Sequence, residues 1–226
     1  MPVTFLGWNM PRPHRIFFPG ALYHVTSRGN NKENIFKNRA DHQYYFEVLA
    51  EAKKLFPFKL YSYALMPNHM HLLIETVGPD LGKIMKFVNY RYTIFFNKKY
   101  SRSGHLFGSR YYCKIIQKDK YFSSVLRYIH LNPVKAGLSK SLNCSWSSYG
   151  AYILKPDKSI VDYKSALELL GDCDMFAKKK FAALHICDFD EKLWKKFESP
   201  RNCVVGDKKF KNYLKKVPVT FCHLLA

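Results

Sequence analysis

The chain has 226 residues and a hydrophobic share of 47%, enough for one ordinary domain with a sizeable core plus an appended piece. Its 37 Lys and Arg outnumber 17 Asp and Glu, a formal charge of +20 that calls for a polyanionic partner, nucleic acid first. No run approaches the ~18 consecutive apolar residues of a membrane span, Met1 to Arg15 has no apolar signal region, and the cysteines (Cys113, Cys144, Cys173, Cys187, Cys203, Cys222) lack CxxC spacing. These features speak against membrane, secreted and zinc-ribbon classes and for a cytoplasmic protein with reduced thiols.

The β-rich run ALYHVTSR at 21–28 halts at Gly29-Asn30 and predicts a first strand and a turn. Asp41 to Leu55 carries Tyr44, Phe46, Val48, Leu49, Ala52 and Leu55 at near-helical spacing and closes at Pro57. FKLYSYALM (58–66) and HMHLLIE (69–75) form a predicted hairpin turning on Pro67-Asn68, because proline cannot donate in a ladder. A second helix over 80–100 turns Leu81, Ile84, Met85, Val88, Tyr92 and Phe95 inward and Lys83, Lys86 and Arg91 outward. A fourth strand follows at YYCKIIQ, then a third helix, N-capped by Asp119, that runs from Tyr121 to Asn132 and ends before Pro133. This order predicts an α+β, ferredoxin-like antiparallel sheet with helices on one face. Residues 15–150 form that domain, and 151–226 a mainly helical appendage, helical at 163–181, with no cluster of chemistry-bearing residues. Pro-Val-Thr-Phe occurs at 2–5 and 218–221, too short a match to be a repeat.

Within PNHMHLLIE the two-residue period of a strand places His69 and His71 on one face, where two imidazoles can chelate one divalent metal. Within RYIHLNPVKAGL, Tyr128 and Asn132 lie one helical turn apart, pairing a nucleophile with an oxygen donor, while His130 points nearly opposite. A phenol can attack phosphorus when a metal withdraws charge from the phosphate oxygens, and the phosphotyrosine formed keeps the ester's energy for resealing.

At these residues the sequence resembles the REP-associated tyrosine transposases, HUH-type single-strand transposases of bacterial insertion sequences. PNHMHLLIE and YIHLNPVKAGL carry the resemblance, with ALYHVTSRGNNKENIF, GHLFGSRYYCKII and WSSYGAY at 146–152 in the family's order, over roughly 15–150. The resemblance implies that His69 and His71 ligate the metal, that Asn132 fills the third position, and that Tyr128 is the nucleophile. Asn132 stands where the broader insertion-sequence branch usually has Gln, and Met70 is the middle hydrophobic residue of the motif. An amide oxygen suits Mg²⁺ or Mn²⁺, and two imidazoles tilt the site toward Mn²⁺ or another transition metal.

Residues 81–120 hold ten Lys and Arg and one Asp among Phe87, Tyr90, Tyr92, Phe95, Phe96, Tyr111 and Tyr112, a mixture suited to single strands, with Phe87, Phe95 and Phe96 read as core. Arg91, Arg110 and Lys114 are expected to meet phosphate, with Lys83 and Lys86 on the same basic surface. Arg28 and Asn30 are expected to read base edges or hold a hairpin foot, as the resemblance implies. The expected protein is a transposase that cuts and transfers single-stranded or hairpin DNA through a 5′-phosphotyrosine, as a monomer or homodimer at the bacterial nucleoid. The alternatives are a domesticated binder that no longer cuts and a phosphoesterase that uses water.

Overall fold

The computed structural model describes residues 16–217 except 79–80, 155, 157–158, 172, 187–189 and 200–202. The opening segment to Arg15, both Pro-Val-Thr-Phe copies, Asp80, Cys187 and Cys222 lie outside the described residues. The predicted elements form in order: β1 (Leu22–Arg28), α1 (Arg39–Leu55), β2 (Phe58–Met66), β3 (His69–Thr76), α2 (Leu81–Lys99), β4 (Tyr112–Ile116) and α3 (Lys118–Lys135). Asn38 starts α1, accepting from the amide of Asp41 while the Asp41 carboxylate accepts from the amide of Asn38, which satisfies end groups the helix leaves open.

The strands run in the order β2-β3-β1-β4, all antiparallel, as the ferredoxin-like reading requires. A short β5 (Val204–Val205) joins the β4 edge in parallel, and Ser147 bridges to Ala64 on the β2 edge. Each edge of the sheet is therefore partly capped, which blunts strand pairing with another chain.

Helices cover both faces of the sheet, not one as expected. Tyr45, Val48 and Leu49 of α1 and Ile84, Val88 and Tyr92 of α2 pack with Tyr23, Val25, Leu72 and Ile74 on one side. Phe122, Val125, Leu126 and Ile129 of α3 pack with Leu22, Tyr61 and Leu73 on the other. There they are joined by α4 (Tyr149–Leu154), α5 (Tyr163–Glu168), α6 (Asp174–Ile186) and α7 (Glu191–Glu198), whereas α8 (Lys208–Lys216), beyond β5, packs Leu214 with the α1 and α2 side. The helix expected over 163–181 is thus two helices. Helix α3 also runs through Pro133 to Lys135, starting after Gln117 rather than Asp119. A proline in the last turn forfeits one backbone bond, and the end is set instead by Gly137 at φ +69°, which a side chain would strain.

Gly29, where β1 turns away, allows no side chain: a Cβ there would lie 2.1 Å from the main-chain oxygen of Glu33. Because that oxygen belongs to backbone, Gly29→Ala is expected to destabilise the fold by roughly 1–3 kcal/mol, read as a lowered midpoint in thermal unfolding. An unchanged midpoint would contradict the close approach.

Candidate active site

His69 and His71 leave β3 on the face that α3 covers, with ring centroids 4.9 Å apart. The β1–β3 register sets Arg28 opposite His69 and Thr26 opposite His71. His69 Nδ1 lies 2.6 Å from the Asn68 side-chain oxygen. That oxygen can only accept, so Nδ1 carries the hydrogen and Nε2 keeps its lone pair. His71 faces His24 Nε2 with its Nδ1 at 2.9 Å, and its Nε2 is buried without a hydrogen-bond partner. Burial, with Arg28 adding to it, pushes His69 down to about 4, and burial holds His71 well below the usual imidazole range, so both rings are neutral at pH 7.

Tyr128 projects from the middle of α3 onto this cluster, its ring edge-on to His71 at 5.7 Å and to His24 at 5.3 Å between centroids. It is only 4% exposed, and burial, followed by the charge of Glu198, pushes its hydroxyl above the usual phenol range, against a smaller pull from Asn132 and Arg28. The phenol therefore enters any reaction protonated. One turn on, Asn132 donates its amide Nδ2 to the main-chain oxygen of Tyr128 at 2.8 Å, which leaves Oδ1 as the atom it can offer to a cation. Arg28, His69 and Asn132 line one cleft of about 480 Å³ with Lys135, Trp194 and Glu198. His130 turns away as expected, to His185 and Ser148 at 3.0 and 2.8 Å.

The donor set fits a divalent metal: an unpartnered buried nitrogen costs on the order of 1–3 kcal/mol, and His71 Nε2 is such an atom next to the neutral imidazole of His69, whose cleft Asn132 also lines. Among the described residues no three His, Cys, Asp or Glu side chains are grouped to hold a metal, so Asn132 would have to complete the set.

Helix α7 lies over Tyr128. Trp194 packs on the Tyr128 ring at 4.3 Å and Phe197 at 5.1 Å, and the Lys135 ammonium sits 4.0 Å over Trp194. Lys114, expected to meet phosphate, is instead 1% exposed and donates to the main-chain oxygens of Lys196 and Ser199 at 2.6 and 2.5 Å. It faces the site side of β4 but fastens the end of α7, because carbonyls that a helix terminus leaves open suit a cation. Arg110 is exposed just before β4, and Arg28 and Asn30 stand where β1 ends. The outward side chains of α2, Lys83, Lys86 and Arg91, are exposed as expected but lie across the sheet from the histidines, and Arg91 pairs with Glu51 at 3.2 Å. Tyr92 and Phe96 are core, and Tyr90 is open to solvent.

Sequence reasoning missed two parts of this site. His24 was legible as a third imidazole four residues before Arg28 on the same strand face. Helix α7 showed only Trp194 and Phe197 at a spacing of three.

A family model described as "Transposase IS200 like" matches residues 18–132, just over half of the chain. The fold is similar to a solved structure of a REP-associated tyrosine transposase bound to a REP hairpin. That match has a TM-score of 0.57 and 19% identity, covering 67% of this chain and 90% of that one. A structure of a candidate transposase from Deinococcus radiodurans R1 is more distant, with a TM-score of 0.38 and 12% identity over 52% of this chain and 93% of that one. No curated protein matches the chain. The chain therefore belongs to the IS200-like transposase family.

Proposed function

We propose that this protein binds single-stranded DNA hairpins and cuts and rejoins the strand through Tyr128, with a divalent metal, Mn²⁺ or Mg²⁺, held by His69, His71 and Asn132. The observation that carries the reading is the pairing of two neutral imidazoles, His69 and His71, the second with an unpartnered buried Nε2 and with the ring of Tyr128 edge-on to it. The chemistry a bound ion would supply is withdrawal of charge from the phosphate oxygens. Arg28 at the cleft adds a fixed positive charge for the same phosphate. Tyr128 gives up its proton as its oxygen bonds to phosphorus, and the 3′-oxygen of the cut strand leaves and takes up a proton. The reverse attack by a DNA 3′-hydroxyl reseals the strand and frees the phenol.

The Tyr128 ring touches His24 and His71 of its own chain, which supports attack within one subunit. The hairpin preference is taken from the structurally similar transposase, and the charge of +20 supports a nucleic-acid partner in general. The bacterial cytoplasm, at the nucleoid, is the place for such an activity, and no helix among the described residues is long and apolar enough to cross a membrane. A second reading, a binder that does not cut, is favoured by the cover that Trp194 and Phe197 place over Tyr128.

The test is incubation with end-labelled hairpins and Mn²⁺, followed by denaturing separation. A labelled band at the mass of protein plus DNA is expected, and free cut product without it would favour hydrolysis by water. Binding is expected to favour hairpins over plain duplex and to weaken by about 10³-fold between 50 and 200 mM salt if some six phosphates are neutralised. A flat salt response in filter binding would remove the electrostatic basis of the reading.

A further inference from the structure

We infer that His24 is the positioning residue of the metal site, accepting the Nδ1 hydrogen of His71 and so presenting the His71 Nε2 lone pair to the ion; this rests on the metal reading above. His24 lies on β1 with Leu73 and Lys114 as its direct partners, which sets it diagonal to His71 on the same face of the sheet. The two rings are nearly parallel, 15° apart with centroids at 5.1 Å, and His24 Nε2 meets His71 Nδ1 at 2.9 Å with both side chains buried. Between two neutral rings that contact holds one proton, so only two arrangements exist.

If His24 donates, His71 accepts at Nδ1 and must carry its hydrogen on Nε2, where it is buried, unpartnered and useless to a cation. If His71 donates, its Nε2 keeps the lone pair and the orphaned hydrogen moves to His24 Nδ1, which is also buried without a partner. Each arrangement strands one N–H, but only the second lets an ion satisfy the remaining nitrogen. The second is therefore the arrangement assigned to the site before an ion arrives, with the 2.9 Å contact holding the tilt of the His71 ring and His24 Nε2 accepting its Nδ1 hydrogen. His24 itself is no ligand: its near nitrogen is committed to His71, and it does not group with His69 and His71 as a three-donor set.

The test compares His24→Gln, whose amide oxygen can reach the position of Nε2 and accept, with His24→Phe, which keeps a ring and cannot. Mn²⁺ affinity is read by calorimetry and by loss of the free-ion EPR signal, and the His71 tautomer by long-range ¹H–¹⁵N NMR of the metal-free protein. The expected result is about 10–100-fold weaker Mn²⁺ binding in His24→Phe, near-native binding in His24→Gln, and an Nδ1-protonated His71 in the unsubstituted protein. His24→Phe binding Mn²⁺ as tightly as the unsubstituted protein overturns the inference, as does equal loss in both variants or an Nε2-protonated His71. Failure of the unsubstituted protein to bind Mn²⁺ strikes the metal reading instead, and the NMR measurement then still decides the role of His24.

Discussion

Tyr128→Phe is expected to abolish the protein-linked DNA product, by at least about three orders of magnitude, while hairpin binding persists. The substitution removes one oxygen and keeps the ring that touches His24, His71, Trp194 and Phe197, so packing at the site is conserved. No other tyrosine is edge-on to both His24 and His71 among the described residues. Tyr90 is the proper control, being 65% exposed on α2 across the sheet from the histidines, and Tyr90→Phe should form the adduct normally. Tyr92 is a poor control, because its hydroxyl is buried and donates to the main-chain oxygen of Ile35 at 2.5 Å, so its removal would disturb the core. A 5′-phosphotyrosyl product from Tyr128→Phe would place the nucleophile elsewhere.

The strands and helices around this residue were legible because their signals are local. The β2–β3 hairpin announces itself by Pro67-Asn68 between two apolar runs, and α1 and α2 by helical spacing. Which side of the sheet a helix takes is not local: an apolar stripe says that a face is buried, not against what. A hint was present in β3, where Met70, Leu72 and Ile74 fill one face and His71, Leu73 and Glu75 are buried on the other, the mark of a strand covered twice. The same limit explains Lys114. Its sequence context, basic and aromatic, suits phosphate, and only the return of the chain after α6 brings the carbonyls of Lys196 and Ser199 to it. His69, His71, Tyr128 and Asn132 could be named from spacing and resemblance together, whereas His24 needed the β1–β3 register to reach His71.

Removing the cover on Tyr128 is expected to raise adduct formation by about 10–100-fold. With the Tyr128 ring packed on Trp194 and Phe197 and the residue only 4% exposed, access of a DNA strand to the phenol is expected to require movement of α7, and the rate then scales with the fraction of molecules in which it has moved. A buried aromatic side chain is worth about 1.5–3 kcal/mol, and each 1.4 kcal/mol is tenfold in an equilibrium, so Trp194→Ala shifts the balance by the stated factor. Lys114→Met is the second variant: it leaves both rings in place and releases the far end of α7 by removing the ammonium that holds its last carbonyls. Both variants are checked for intact folding by circular dichroism and then given labelled hairpin and Mn²⁺ in single-turnover reactions. If both are folded and neither is faster, α7 does not limit access. A fall in rate in both would instead make α7 part of the working site, with Glu198, whose charge already bears on the Tyr128 hydroxyl, as the group to substitute next. Absence of adduct before and after α7 is loosened would leave the non-cutting reading in force, since the cover could then no longer account for silence.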